Sequence, residues 1–135
     1  MDNSYLLVGT PNNNNFNGAV YVYEFNNATN NFVEKQKLTN KDNNEFDYFG
    51  SSIDLCGNYA IIGSYGKTKA TNTQTFTSLT NLFNDGAAYI FQNISGSFHE
   101  IQKLTNINNN SHDKFGISVA CYNDKFIVGN QVKNS

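Results

Sequence analysis

FGSSIDLCGNYAIIG, residues 49–63, returns as FGISVACYNDKFIVG at residues 115–129. Each stretch opens on Phe-Gly, alternates apolar and polar residues, and closes on an apolar run ending in Gly. Working outward from this pair, NGAVYVYEF at 17–25 matches DGAAYIFQN at 85–93, VEKQKLTN at 33–40 matches HEIQKLTN at 99–106, and DYFGSSI at 47–53 matches DKFGISV at 113–119. YLLVG at 5–9, YAIIG at 59–63 and KFIVG at 125–129 form a further set. Self-similarity at this period marks an architecture in which each unit buries its apolar face only against a neighbouring unit.

The apolar residues recur at period two, as in Val20 and Val22 against Ala19, Tyr21, Tyr23 and Phe25, which is the spacing of strands. Tyr and Phe are plentiful, Pro occurs once, and Gly or Asn clusters punctuate the runs, so the chain reads as short strands joined by turns. One stretch, TSLTNLF at 77–83, has room for a short helical turn. Strands are expected at 5–9, 18–25 and 32–38; at 49–55, 59–63, 86–92 and 98–104; and at 115–121 and 125–129. Spacing between units is uneven because one connection differs: residues 10–17 in the first copy, residues 64–85 in the second. The longer version, rich in Thr and Asn, carries Tyr65, Thr75, Phe76 and Phe83, and an insertion on one face of a repeat is where binding specificity collects. The plainer alternative is a passive loop whose apolar residues tuck onto the sheet.

Composition narrows the function classes. With 135 residues the chain is one domain's worth, and a net charge of −2 gives nothing for a phosphate backbone or an anionic lipid surface to grip. No nucleic-acid partner and no membrane insertion are expected, since no apolar run is long enough to span a bilayer and MDNSYLLVG lacks a basic start. Compartment is left open. Asn is the oddity, with runs at 12–15 and 108–110. These sit where turns belong, because Asn tolerates left-handed backbone angles, although a coding bias explains them as simply. The N-x-S/T triplets at Asn27, Asn93 and Asn109 are as frequent as chance gives in so Asn-rich a chain and carry no information on glycosylation. Aligning the Phe-Gly pairs, which start at 49 and 115, sets Cys56 opposite Tyr122 rather than Cys121. Two buried free thiols are therefore expected in preference to a bridge.

The order FG-x-S-[IV], then [YF]-[AI]-I-[IV]-G, then GA-x-Y-[IV]-[FY], then a polar stretch ending in QKLT, resembles the FG-GAP repeat of integrin α-chain propellers and of bacterial proteins with similar spelling. The resemblance runs from Tyr5 to Gly129. It implies an all-β fold, a β-propeller of four-stranded antiparallel blades, each with its Phe-Gly strand innermost and its QKLT strand outermost. On that template the chain is a single partial β-propeller domain: a part-blade at 5–38, a full blade at 47–104 and a part-blade at 113–129. That makes about two and a quarter blades and an incomplete ring, where propellers need four to eight. The expected partners are thus further copies of the chain, or the remaining blades of a longer one. Gly50 and Gly116 are expected to let backbones approach while Phe49 and Phe115 wedge between blades, and Gly9, Gly63 and Gly129 to permit the turn into the next loop.

No catalytic constellation emerges, and the chain is expected not to be an enzyme. His99 and His112 have no evident partner, and SIDLCGN at 52–58 resembles the Ser-x-Asp-x-Gly turn of sialidase propellers only with an extra residue before Gly57 and no Trp anywhere. No cofactor is required. The calcium loop of integrin-type blades has no counterpart in DLCGN at 54–58 or ACYND at 120–124. Oxygen ligands do gather before each Phe-Gly, and Asp42, Asn44, Asp47 and Asp113 are the candidates for a calcium ion, against Asx turns as the alternative. The resulting expectation is a noncatalytic binding or scaffold module whose loops meet a protein or glycan. The alternatives are a propeller segment of a larger enzyme, or a structural component of an assembly.

Overall fold

In the computed structural model, residues 4–42, 45–66, 86–106 and 113–131 are described. They form nine strands: β1 (Tyr5–Thr10), β2 (Ala19–Asn26), β3 (Asn31–Leu38), β4 (Ser52–Cys56), β5 (Tyr59–Ser64), β6 (Ala87–Ile94), β7 (Ser97–Leu104), β8 (Ser118–Tyr122) and β9 (Lys125–Gly129). These make three antiparallel sheets, β1-β2-β3, β4-β5-β6-β7 and β8-β9, each a meander of sequence neighbours. The fold is all-β, and the sheets are blades of an unclosed propeller. Repetition extends to details no motif spells. A β-bulge interrupts β2–β3 between Val22 and Tyr23, and another interrupts β6–β7 at the matching place, between Ile90 and Phe91. The stretch 77–83 lies outside the described residues.

Turn chemistry follows the composition. The β4–β5 and β8–β9 hairpins close with two residues each, and the positive φ such tight hairpins need falls on Gly57 in one and Asn123 in the other. Between β1 and β2, residues 13–16 form one left-handed turn, with φ of 52°, 56° and 64° at Asn14, Asn15 and Phe16. Among side-chain-bearing residues Asn tolerates this region best, so the NNNN run has a backbone reason here.

The core is the junction between the first two sheets. Val20, Val22 and Leu38 pack against Phe49, Ala60, Ile62, Ala87, Tyr89, Phe91 and Phe98, with Tyr5, Leu7, Ile53 and Leu55 at its margin. Each large side chain buried there contributes about 1.5–3 kcal/mol. At the outer edge Gln36, the Gln of the first QKLT, serves the next blade's backbone: its Nε2 donates to the Phe98 carbonyl at 2.8 Å and its Oε1 accepts from the Phe98 N–H at 2.9 Å.

Phe-Gly lies ahead of the inner strand rather than within it. Phe49 and Phe115 each make an isolated parallel bridge to the preceding blade, at Gly18 and Gly86. Gly50 and Gly116 then turn at φ +92°, which ends extended backbone, so β4 and β8 start later than the expected 49 and 115. Phe49 is fully buried, as a wedge should be, meeting Tyr89 and Phe91 with ring centroids 5.5 and 5.9 Å away. Gly9 and Gly63 correct the expectation of a turn. Both lie inside strands, and a Cβ on either would fall on the carbonyl oxygen of Gly50 or Gly116 in the next blade.

The cysteines also correct the sequence reading, for Cys56 and Cys121 form a disulfide with Cα atoms 6.1 Å apart. The reason is strand parity. Equivalent residues in successive blades point the same way round the array, so residues that face each other across a junction must be non-equivalent and of opposite parity. Ser52, Asp54 and Cys56 share the β4 face toward the third sheet, where Ser52 Oγ donates to the Gly116 carbonyl at 2.9 Å and Asp54 Oδ2 accepts from the Cys121 N–H at 2.8 Å. Tyr59 and Phe126 meet edge to face across the same junction.

Candidate functional site

The connections at one end of the blades bring together aromatic residues distant in sequence. Phe16 comes from the β1–β2 turn, Phe46 and Tyr48 from the β3–β4 connection, and Tyr65 from the residue after β5. Phe16 stacks on Phe46 at 5.6 Å and 14°, and meets Tyr48 at 5.5 Å. Tyr48 stacks on Tyr65 at 5.0 Å and 12°, and Lys114 Nζ lies 5.9 Å from the Tyr65 ring centre. The result is a strip of four rings ending in a cation, crossing from the first sheet to the approach of the third. Phe16 is exposed and the other members are half-buried.

This strip is held in uncommon backbone geometry. Phe16, Phe46, Tyr48 and Lys114 all have positive φ, at 64°, 63°, 54° and 49°. Bulky side chains there cost on the order of 1–3 kcal/mol each and persist only where surroundings fix them. The fixing is visible: the Phe46 N–H donates to the Asn15 carbonyl at 3.3 Å, that of Tyr48 to Phe16 at 2.8 Å, and those of Ser51 and Ile117 to Tyr48 and Lys114 at 3.1 and 3.0 Å. Tyr48 and Lys114 are the same repeat position, the residue between Asp and Phe-Gly, so the strip uses one slot twice with different chemistry. Burial, then the neighbouring Tyr48, raises the Tyr65 hydroxyl above its ordinary range and keeps it protonated. Stacked neutral rings with one ammonium suit a planar or CH-rich ligand face.

Beneath the strip each D-x-FG aspartate is clasped by the Asn that ends QKLTN. Asn40 Nδ2 donates to Asp47 Oδ2 at 3.4 Å, and Asn106 Nδ2 to Asp113 Oδ2 at 2.9 Å. The Asp47 carbonyl also accepts from Ser64 Oγ at 2.6 Å and from the Gly66 N–H at 3.2 Å. Thus the two aspartates proposed as cation ligands receive donors from Asn side chains. Asp42 stands at the surface, where Lys103 Nζ lies 2.8 Å from its Oδ2 and the Tyr89 hydroxyl donates to the same oxygen at 3.1 Å. Asp42 and Asp47 do converge on one group, since both charges, after burial, push the Tyr89 hydroxyl far up. Asn44 lies outside the described residues. Among the described residues no three His, Cys, Asp or Glu gather as a metal site. DLCGN and ACYND are the two tight hairpins already described.

Of the loop residues singled out from sequence, Tyr65 is in the strip, while Thr75, Phe76 and Phe83 lie outside the described residues. Phe16, Phe46, Tyr48 and Lys114 escaped the sequence reading because they belong to separate connections. The available signal was the variable residue inside D-x-FG, Tyr in one copy and Lys in the next.

Nine strands in three antiparallel sheets, keyed together at Phe-Gly, define a β-propeller-like repeat protein. The FG-GAP repeat profile matches residues 32–91 and 98–135, and the chain belongs to that family. No curated protein matches the chain significantly.

Proposed function

We propose that the chain is a noncatalytic binding module that presents its loop end, centred on Phe16, Phe46, Tyr48, Tyr65 and Lys114, to a protein or glycan. The observation that carries this reading is the strip itself: rings stacked across blade junctions on backbone held at positive φ. Core packing alone has no need of such geometry, as the buried Phe49, Tyr89 and Phe91 show by packing without joining it. The strip's chemistry is that of contact rather than reaction, with phenols and an amine in place of a nucleophile beside a base.

The test is to probe printed glycan and peptide arrays with the labelled chain, beside a Tyr48→Ser/Tyr65→Ser variant and a Tyr122→Ser control from the opposite end of a strand. Spots bound by the parent and the control but lost with the double variant support the reading. Spots retained by the double variant, or none above background, refute it.

A further inference from the structure

The ring strip ends in a charge that nothing in the fold answers, and we infer that its occupant is a saccharide ending in one hexuronic acid, whose carboxylate meets Lys114 while neutral sugars lie along the rings. Resting on the loop-end reading, this names the ligand class of the same surface. Lys114 is the one lysine among the described residues that is not exposed. Its ammonium lies over the Tyr65 ring and has no hydrogen bond or ion pair to any described residue, whereas the exposed Lys35, Lys103 and Lys125 each face a carboxylate. A half-buried ammonium in this position has given up part of its water for a ring face alone. An incoming carboxylate supplies the charge-assisted hydrogen bonds it lacks.

The acids already present along the strip do not fill that role. Asp47 and Asp113 precede Tyr48 and Lys114, but they are 0 % and 6 % exposed, and each accepts from an Asn side chain. Glu45 is exposed and adjoins Phe46, at the far end from Lys114. A ligand with one acidic end is thereby oriented along the rings. One with a carboxylate on every unit meets repulsion at Glu45.

Backbone chemistry favours a sugar chain over a peptide. A peptide laid on the strip must find partners for its own N–H and C=O groups. The amides there are committed inward, since the N–H groups of Phe46, Tyr48, Phe49 and Gly66 donate to the carbonyls of Asn15, Phe16, Asn17 and Asp47. A pyranose makes no such demand, because its C–H face lies on an aromatic ring while its hydroxyls point sideways into water. Phe16 and Phe46 stack with centroids 5.6 Å apart, and Tyr48 and Tyr65 with centroids 5.0 Å apart, offsets that leave part of each face uncovered. The protonated Tyr65 hydroxyl adds a donor for a sugar oxygen. In glucuronate and galacturonate the carboxylate is equatorial, so it runs on past the last ring toward the ammonium. A sialoside carboxylate is axial and stands off the sugar face.

The experiment titrates the chain, by calorimetry, with glucuronate-terminated and galacturonate-terminated trisaccharides, each beside its methyl ester and its neutral parent sugar, and with a sialyl trisaccharide and an acidic peptide. At least one uronate is expected to bind. Methyl-esterification and Lys114→Gln are each expected to weaken that binding at least about tenfold, as is Tyr48→Ser/Tyr65→Ser, while Lys125→Gln leaves it unchanged. Added salt should weaken it too. Should Lys114→Gln lose the β-sheet circular dichroism, Lys114→Asn, which tolerates the positive φ, replaces it. Ester and acid binding alike, binding unmoved by the Lys114 substitution, a preference for the sialoside or the peptide, or no uronate binding overturns the inference. Neutral glycans or peptides held through Tyr48 and Tyr65 without any uronate would still leave the loop-end reading standing, whereas no binding that depends on those two rings removes both.

Discussion

Replacing both cysteines, as Cys56→Ser/Cys121→Ser, removes the cross-link without leaving a free thiol. The bridge joins residues 65 apart in sequence. In the chain-entropy treatment, closing a loop of that length lowers the unfolded state's entropy by roughly 14 cal/mol/K, worth about 4 kcal/mol at 25 °C. That is a large share of the 5–15 kcal/mol on which domains of this size run. The loss falls unevenly. β8 and β9 form a two-stranded ribbon, marginal by itself, whose described ties to the second sheet include the disulfide, the Ser52–Gly116 and Cys121–Asp54 hydrogen bonds, the Gly86–Phe115 bridge and the Tyr59–Phe126 contact. Urea unfolding should therefore show a midpoint lower by about 2 M, taking a slope near 2 kcal/mol/M. Hydrogen exchange should show protection lost first over 117–129, with β1–β3 and β5–β6 little changed. A parent protein that titrates with two free thiols when denatured without reductant, or a variant whose midpoint is unmoved, would refute the reasoning.

Gly63→Ala places a Cβ on the Gly116 carbonyl and on the Ser52 hydroxyl, so that backbone must yield as well as a side chain, and should cost at least about 2–3 kcal/mol in a urea or thermal melt. Gly57→Ala, with open space around its Cβ, is the contrast: it carries only the strain of its positive φ and should cost less. Tyr89 gives an alkaline signature. Its hydroxyl is held protonated in the fold, first by burial, while in the unfolded chain it ionises near pH 10. Its stabilisation is thus complete below pH 10 and declines as pH rises beyond it, by about 1.4 kcal/mol per pH unit. Stability measured from pH 9 to 11 should fall less steeply in Tyr89→Phe, and an unchanged slope would contradict the burial. Asn40→Ala leaves the buried Asp47 carboxylate without one of its donors and should cost about 1–3 kcal/mol by chemical denaturation. Wild-type stability in that variant would show that the clasp is incidental.

Much of this architecture is legible in the letters because repeated motifs align strands with strands, and period-two alternation fixes which residues share a face. The same alignment misled at the cysteines. Cys56 and Cys121 are not equivalent positions, and it is non-equivalent residues of opposite parity that face each other across a junction. Parity, which was readable, gives the opposite answer. Gly9 and Gly63 were misread for another reason: a strand-terminal Gly invites a turn, and the backbone that crowds it comes from the next repeat, 41 and 53 residues on at Gly50 and Gly116. The strip was hidden more deeply. Phe16, Phe46 and Tyr48 look like loop residues until left-handed angles swing their rings into register, and φ is not written in an aromatic side chain. Tyr65 alone was marked, through its place at the start of the long connection.

The glycine contacts between blades carry one more consequence. Where Gly9 meets Gly50 and Gly63 meets Gly116, the closest atom is the facing peptide carbonyl oxygen, a group common to every residue and untouched by most substitutions. Successive units can therefore drift in their outward-facing letters, lengthen a connection or trade Tyr for Lys, and still engage like teeth cut to one gauge. Conformity is strictest at a few atoms near the spindle, leaving the connections freer to vary.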